Sequence, residues 1–255
     1  MKLIDTHCHL YSKEFVQDIA EVIRRGEAAW VEKFYLPAID SGTLDAMLAL
    51  EKEFPGKCIA MAGLHPCSVK ENYRQELKLV EDLLEKRKFA AIGEIGLDFY
   101  WDRNFDQNQY DAFHKQIEWA LHYDLPIVIH SRESITESIQ VVRQHQNGKL
   151  KGIFHCFSGN SESAKEITEL GFYLGIGGVI TYKKSALPEA LKNISLDHLV
   201  LETDSPYLPP VPFRGKRNES SYLIYIAQKL AELKGVSVEE VAAITTANAQ
   251  KIFAN

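Results

Sequence analysis

Short, almost wholly apolar runs recur every few tens of residues along this chain, and most are followed by a stretch with helical spacing. No other feature constrains the fold so tightly. A strand that is apolar on both faces must be covered on both faces, which is the condition of a parallel sheet with helices packed against it. The runs begin with Leu3-Ile4 and continue at 34–39, 58–64, 90–95, 126–130, 152–156, 172–176 and 199–202. Between them, 14–25 repeats Phe15, Ile19, Val22 and Ile23 at the helical period. Segment 44–54 does the same until Pro55-Gly56 stops it, and 76–88 sets Leu77, Val80, Leu83 and Leu84 on one face. Further helices are predicted at 107–123, 133–146, 161–170, 219–234 and 238–253, with a short segment at 187–194. Eight strands in 255 residues, with no linker, repeat or low-complexity tract, predict one domain, 1–255, folded as a (β/α)8 TIM-type barrel. A doubly wound open sheet is the alternative.

The ends of the runs favour the barrel. The first is followed by His7 and His9, and later ones end in Glu94, His130, His155 and, past Glu202, Asp204. In a parallel barrel such ends converge on one rim, where active sites of that architecture lie. An open sheet does not gather them. At a spacing of two on a strand, His7 and His9 project together, and a metal would take up their lone pairs. The plainer alternative is one core and one surface histidine at a frayed strand end.

Charge and cysteine usage exclude some classes. The net charge is −6, from 29 basic and 35 acidic residues, so any nucleic acid must be met by a local patch or by bound cations. Cys8, Cys58, Cys67 and Cys156 form no CxxC pair, and with no signal-like N-terminus they suit reduced thiols in a cytoplasmic protein. No apolar run is long enough for a membrane span, and no obligate protein partner is indicated.

Taken together, Asp5-Thr6-His7-Cys8-His9-Leu10, Gly63-Leu64-His65-Pro66, Gly93-Glu94-Ile95-Gly96-Leu97-Asp98, Ile129-His130-Ser131-Arg132, His155-Cys156-Phe157-Ser158-Gly159 and Glu202-Thr203-Asp204-Ser205-Pro206 resemble the TatD family. These are metal-dependent deoxyribonucleases of the amidohydrolase superfamily, and the resemblance runs the length of the chain. It implies that His7, His9, Glu94 and Asp204 hold one divalent ion, that Glu94, His130 and His155 hold a second, and that Glu94 bridges. A mixed imidazole and carboxylate shell suits zinc or manganese and tolerates magnesium less readily. Two such ions fit the in-line displacement of a phosphodiester. Asp204 is placed as general base as well as ligand, the alternative being ligand alone. Glu202 and Asp98 are expected to orient ligands, and Cys8 and Cys156 to pack as small hydrophobes. Where the family usually has Asn-Glu-Pro, this chain has Asn218-Glu219-Ser220, a change expected to loosen the loop without touching the chemistry.

Four further residues are candidate substrate contacts. His65 ends the third run. Arg132 follows His130 by two and can fork onto a phosphate, unless it pairs with Glu133. Arg214 and Lys216, with Arg217 and the ring of Phe213, follow a proline-rich turn downstream of Asp204. They predict a cationic lip with an aromatic platform for single-stranded nucleic acid, or else a solvated charge run. Tyr100 and Trp101 either stack bases or plug the rim. The expected function is a divalent-metal hydrolase of phosphodiester bonds in DNA, an exonuclease on single-stranded ends. An amide or lactone hydrolase of the same superfamily is the alternative, and the basic lip argues against it. A retired binding protein would lack a ligand, and none is missing.

Overall fold

The computed structural model describes residues 1–254. Eight parallel strands appear in chain order: β1 (Leu3–Asp5), β2 (Val31–Leu36), β3 (Cys58–Ala60), β4 (Ile92–Asp98), β5 (Ile127–Arg132), β6 (Gly152–Phe154), β7 (Tyr173–Ile176) and β8 (Leu199–Leu201). Hydrogen-bonded ladders join β1-β2-β3 and β4-β5-β6-β7-β8. A parallel bridge between Ala62 and Ile92 joins the two ladders at one seam. At the other, the amide of Thr6 donates to Leu201 O at 3.1 Å, which sets β1 beside β8. The order is that of a (β/α)8 barrel.

The alternation along each strand divides the core in two. Inside the barrel, Ile4, Tyr35, Met61, Ala91, Val128, Ile153 and Val200 form one cluster. It is closed from below by Ala249, Ile252 and Phe253 at the end of α9 (Val238–Ile252), with Phe253 stacked on Tyr35 at 3.9 Å. The residues pointing outward from the strands build the larger cluster beneath the helices, around Phe34, Phe113, Phe154 and Phe172. Those helices are α1 (Ile19–Ala28), α2 (Ser41–Glu53), α3 (Tyr73–Lys86), α4 (Asp106–Tyr123), α5 (Ile135–His145), α6 (Ser161–Glu169), the short α7 (Leu187–Leu191), α8 (Leu223–Lys234) and α9.

Several expected boundaries move. The first helix begins at Ile19, because Lys13–Phe15 is a separate 3-10 turn. The second strand runs Val31–Leu36, three residues earlier than its most apolar stretch. β1 and β8 stop at Asp5 and Leu201, so His7, His9 and Asp204 lie beyond regular strand. The face-sharing expected from strand alternation is therefore not what brings those residues together. Backbone bonds do it instead: Cys8 N donates to Tyr35 O at 3.0 Å, His9 N to Ser205 O at 2.7 Å, and Asp204 N to His7 O at 2.9 Å. Asp204 itself adopts φ +54, which breaks the register with Glu202.

Candidate metal centre

Above the apolar plug, β5, β6 and β8 each set an ionisable residue two positions beyond an inward aliphatic one. His130 follows Val128, His155 follows Ile153, and Glu202 follows Val200. Glu94 rises from β4 and is 2 % exposed. Its two carboxylate oxygens face different partners. Oε2 lies 3.2 Å from His7 Nε2 and 3.6 Å from His9 Nε2. Oε1 lies 2.8 Å from His130 Nδ1, 3.2 Å from His155 Nε2 and 3.3 Å from His65 Nε2.

Asp204 Oδ1 completes the first group, at 3.7 Å from His7 Nε2 and 3.4 Å from His9 Nε2, and the two imidazole nitrogens are 3.3 Å apart. Ligand atoms about 2.0–2.1 Å from a tetrahedral ion lie roughly 3.3–3.4 Å from one another. Five of the six edges among His7, His9, Glu94 and Asp204 fall at 3.2 to 3.7 Å. The donor set thus fits a divalent cation in both chemistry and spacing. The second group is less symmetric. His155 also stacks on His7 at 3.7 Å, and its ligand atom groups with those of His7 and Asp204 as well as lying near Glu94.

Hydrogen bonds on the far side of each ring fix which nitrogen keeps a lone pair. The Tyr11 hydroxyl donates to Pro37 O at 2.6 Å and so accepts from His9 Nδ1 at 2.9 Å, leaving His9 Nε2 free toward the cluster. His155 donates from Nδ1 to Glu202 Oε1 at 3.0 Å, and His130 from Nε2 to Asp98 Oδ2 at 2.8 Å. His65 is the opposite case. Its Nδ1 accepts the Cys67 amide at 3.0 Å, so the ring proton sits on Nε2 and points at Glu94. Among these rings, His65 is therefore a donor rather than a ligand. His7 Nδ1 is buried with no partner among the described residues.

The electrostatics match a cluster of opposed charges. Burial raises the Glu94 carboxyl, but the imidazoles of His65, His155 and His7 outweigh it and hold the group well below its usual range. Burial likewise opposes charge on His155, and the carboxylates of Glu202 and Glu94 overcome it and hold that imidazole well above its ordinary value. Asp204 is held low by His9, His155 and His7 against the raising effect of burial. Burial also raises Asp98, yet its bond to His130 and the amides of Trp101 and Tyr100 bring it well below the usual carboxylate range.

Two buried carboxylates carry the scaffold. Glu202 Oε1 accepts from both His155 Nδ1 and the Cys156 amide, the latter at 2.6 Å. It fits only because residue 175 is glycine, whose added Cβ would lie 2.2 Å from Glu202 Oε2. Asp5 ties β1 to the segment after β8. It accepts the Thr203 amide at 2.9 Å, the Thr203 hydroxyl at 2.6 Å and the Ser220 hydroxyl at 2.6 Å. Burial pushes its carboxyl up to about 7 even so. The expectation that Ser220 merely loosens a loop is corrected here, since its hydroxyl binds the carboxylate two residues before His7. Tyr11, Thr203 and Asp5 were absent from the sequence-derived site. Only the run of polar residues ending an apolar strand pointed to Asp5.

The rim residues separate more widely. Arg132 is exposed, with its guanidinium 3.9 Å from the Tyr100 ring centroid rather than paired with Glu133. Arg214 lies over Tyr182 at 3.8 Å, and Lys216 is 5.9 Å from Phe213. Arg217 leaves the expected lip altogether, because its two terminal nitrogens bind both oxygens of Asp18 at 2.8 and 2.7 Å. Phe213 stacks face to face on Tyr222 at 3.9 Å, so one side of the expected platform is covered. Cys8 is buried as expected. Cys156, just past β6 with φ +44, is only half-buried.

The family model described as TatD related DNase matches residues 4–254. The chain is 38% identical over 252 residues to the uncharacterized metal-dependent hydrolase YabD of Bacillus subtilis, covering 98% of each protein. It is 33% identical over 259 residues to a protein of Citrobacter rodentium named 3'-5' ssDNA/RNA exonuclease TatD, covering 98% of this chain and 97% of that one. Its fold superposes on the solved structure of YjjV, a TatD homologue from Escherichia coli K12, with TM-score 0.93 and 30% identity over 99% of this chain and 98% of that one. With these ladders, this cluster and these relatives, the chain belongs to the TatD family of metal-dependent hydrolases.

Proposed function

We propose that this protein hydrolyses phosphodiester bonds at single-stranded ends of DNA, working from the 3′ end, with two divalent cations in the Glu94 cluster. The observation that carries the two-ion assignment is the division of donors between the two oxygens of Glu94. The polarity follows the printed name of the Citrobacter relative. When bound, the cations would supply the positive charge that activates a water and stabilises the departing oxygen. His7, His9, Glu94 and Asp204 would hold one, and Glu94, His130 and His155 the other. The remaining work belongs to the side chains. Asp204, held ionised, accepts the proton of the attacking water. His65 lies beside Glu94 as a candidate substrate contact, and Arg132, Arg214 and Lys216 hold neighbouring phosphates.

We place the protein in the cytoplasm, as one domain. Among the described residues no helix is long and apolar enough to cross a membrane. The test is a metal-defined preparation assayed on single strands labelled at the 3′ or the 5′ end. Mononucleotides should be released from the 3′ end, and Asp204→Asn should slow release by about 10²- to 10⁴-fold while some metal stays bound. Turnover in that variant equal to wild type would remove Asp204 as the base. A wild-type protein inert on DNA would remove the nuclease assignment.

A further inference from the structure

Tyr100 and Trp101 are 49% and 67% exposed, unusual for rings of that size, and they stand on the rim directly after β4. They meet edge to face at 4.9 Å, so only one broad face of the pair is given up to their mutual contact. Arg132 reaches over both from the end of β5, 3.9 Å from the Tyr100 centroid and 5.3 Å from that of Trp101. Its charge rests on aromatic faces, whereas Arg25 and Arg217 elsewhere are committed to Glu219 and Asp18.

The backbone of this shelf is anchored to the metal cluster. Asp98 Oδ1 accepts the amides of Tyr100 at 3.0 Å and Trp101 at 3.1 Å, while its Oδ2 holds His130 at 2.8 Å. One carboxylate therefore fixes both the shelf and a candidate ligand. An object stacked on Trp101 is set at a fixed reach from the cluster rather than on a wandering loop.

We propose that Tyr100, Trp101 and Arg132 form a subsite for one unpaired nucleobase and its adjoining phosphate. The inference rests on the nuclease assignment and deepens it. An indole face accepts any base by stacking, which tolerates sequence, and a guanidinium beside it matches the phosphate attached to that base. A base still in a duplex has both faces covered by its neighbours, so the shelf selects frayed or single-stranded ends.

The experiment compares wild type, Trp101→Ala and Trp101→Phe, each loaded with metal, on two oligothymidylates. One is complete, and the other carries abasic residues at its terminal positions. Trp101→Ala should raise KM on the complete strand by about tenfold or more. The increase should be much smaller on the abasic strand, and Trp101→Phe should restore most of the difference. Equal changes on the two strands, or no change on either, would overturn the shelf while leaving the nuclease intact. A wild type inert on both strands yet active on a small phosphodiester would overturn the nuclease assignment, and the shelf with it.

Discussion

The two ends of the barrel interior are built from the same strands and differ by a step of two residues. At the lower end Val128, Ile153 and Val200 pack into an apolar plug with Tyr35 and Phe253. At the upper end their neighbours His130 and His155 face Glu94, and Glu202 holds the far side of His155. Below, burial is favourable in itself. Above, it is costly, and most of the polar groups are held by specific partners. The lower end therefore tolerates many side chains of suitable volume, while the upper end tolerates few at any volume. Stability and chemistry are separated along one axis, as expected for this architecture.

Exchanging the properties of the two ends tests that separation. The largest effect is expected from Glu94→Gln, which removes the charge that both donor groups share. Bound metal, read by elemental analysis, should drop well below that of wild type, and hydrolysis should fall by about 10³-fold or more. Retained metal with full activity would show that Glu94 does not bridge. Its counterpart below is Ile153→Ala, which should lower stability by about 2–5 kcal/mol in denaturant unfolding. Turnover per folded molecule should change little. If that variant instead lost metal, the two ends would not be independent.

Smaller effects lie at the supports. Gly175→Ala places a Cβ against Glu202 Oε2 and should displace the carboxylate that orients His155. Metal affinity should fall by about 10- to 100-fold in a competition titration with a chelator. Unchanged affinity would mean His155 is oriented without Glu202. Replacing Arg214 and Lys216 together by alanine should have the mildest result. The salt dependence of single-strand binding should flatten by a slope of roughly one to two. A slope identical to wild type would make those residues solvated surface.

The barrel was legible because eight apolar runs alternate with helical periods, and six candidate ligands at or just past the run ends marked the rim. Strand alternation nevertheless gave a false reason for the pairing of His7 with His9. Those residues lie past the strands, where tertiary hydrogen bonds rather than pleat set direction. Arg217 was read as part of the lip because its neighbours are basic. Its partner, Asp18, lies 199 positions away, and no local pattern announces it. The support from Ser220 was hidden for the same reason, at 215 positions from Asp5. His65 could be placed on the rim from its run. Its donor role depends on the Cys67 amide, a detail of the 3-10 turn at Pro66–Ser68 that composition does not carry.

The clasp between Asp5 and Thr203 joins positions 198 residues apart. A ribosome adding about 5–20 residues per second makes the second partner roughly ten to forty seconds after the first. Through that interval His7 and His9 have emerged, but Asp204, whose carboxylate lies beside their Nε2 atoms, has not been synthesised. A cation captured early by the two imidazoles alone would be held loosely and could still exchange. The full set exists only once the barrel has closed, so the choice of ion is made by the finished fold, under the concentrations the cell then maintains, rather than by whichever ion met the nascent chain first.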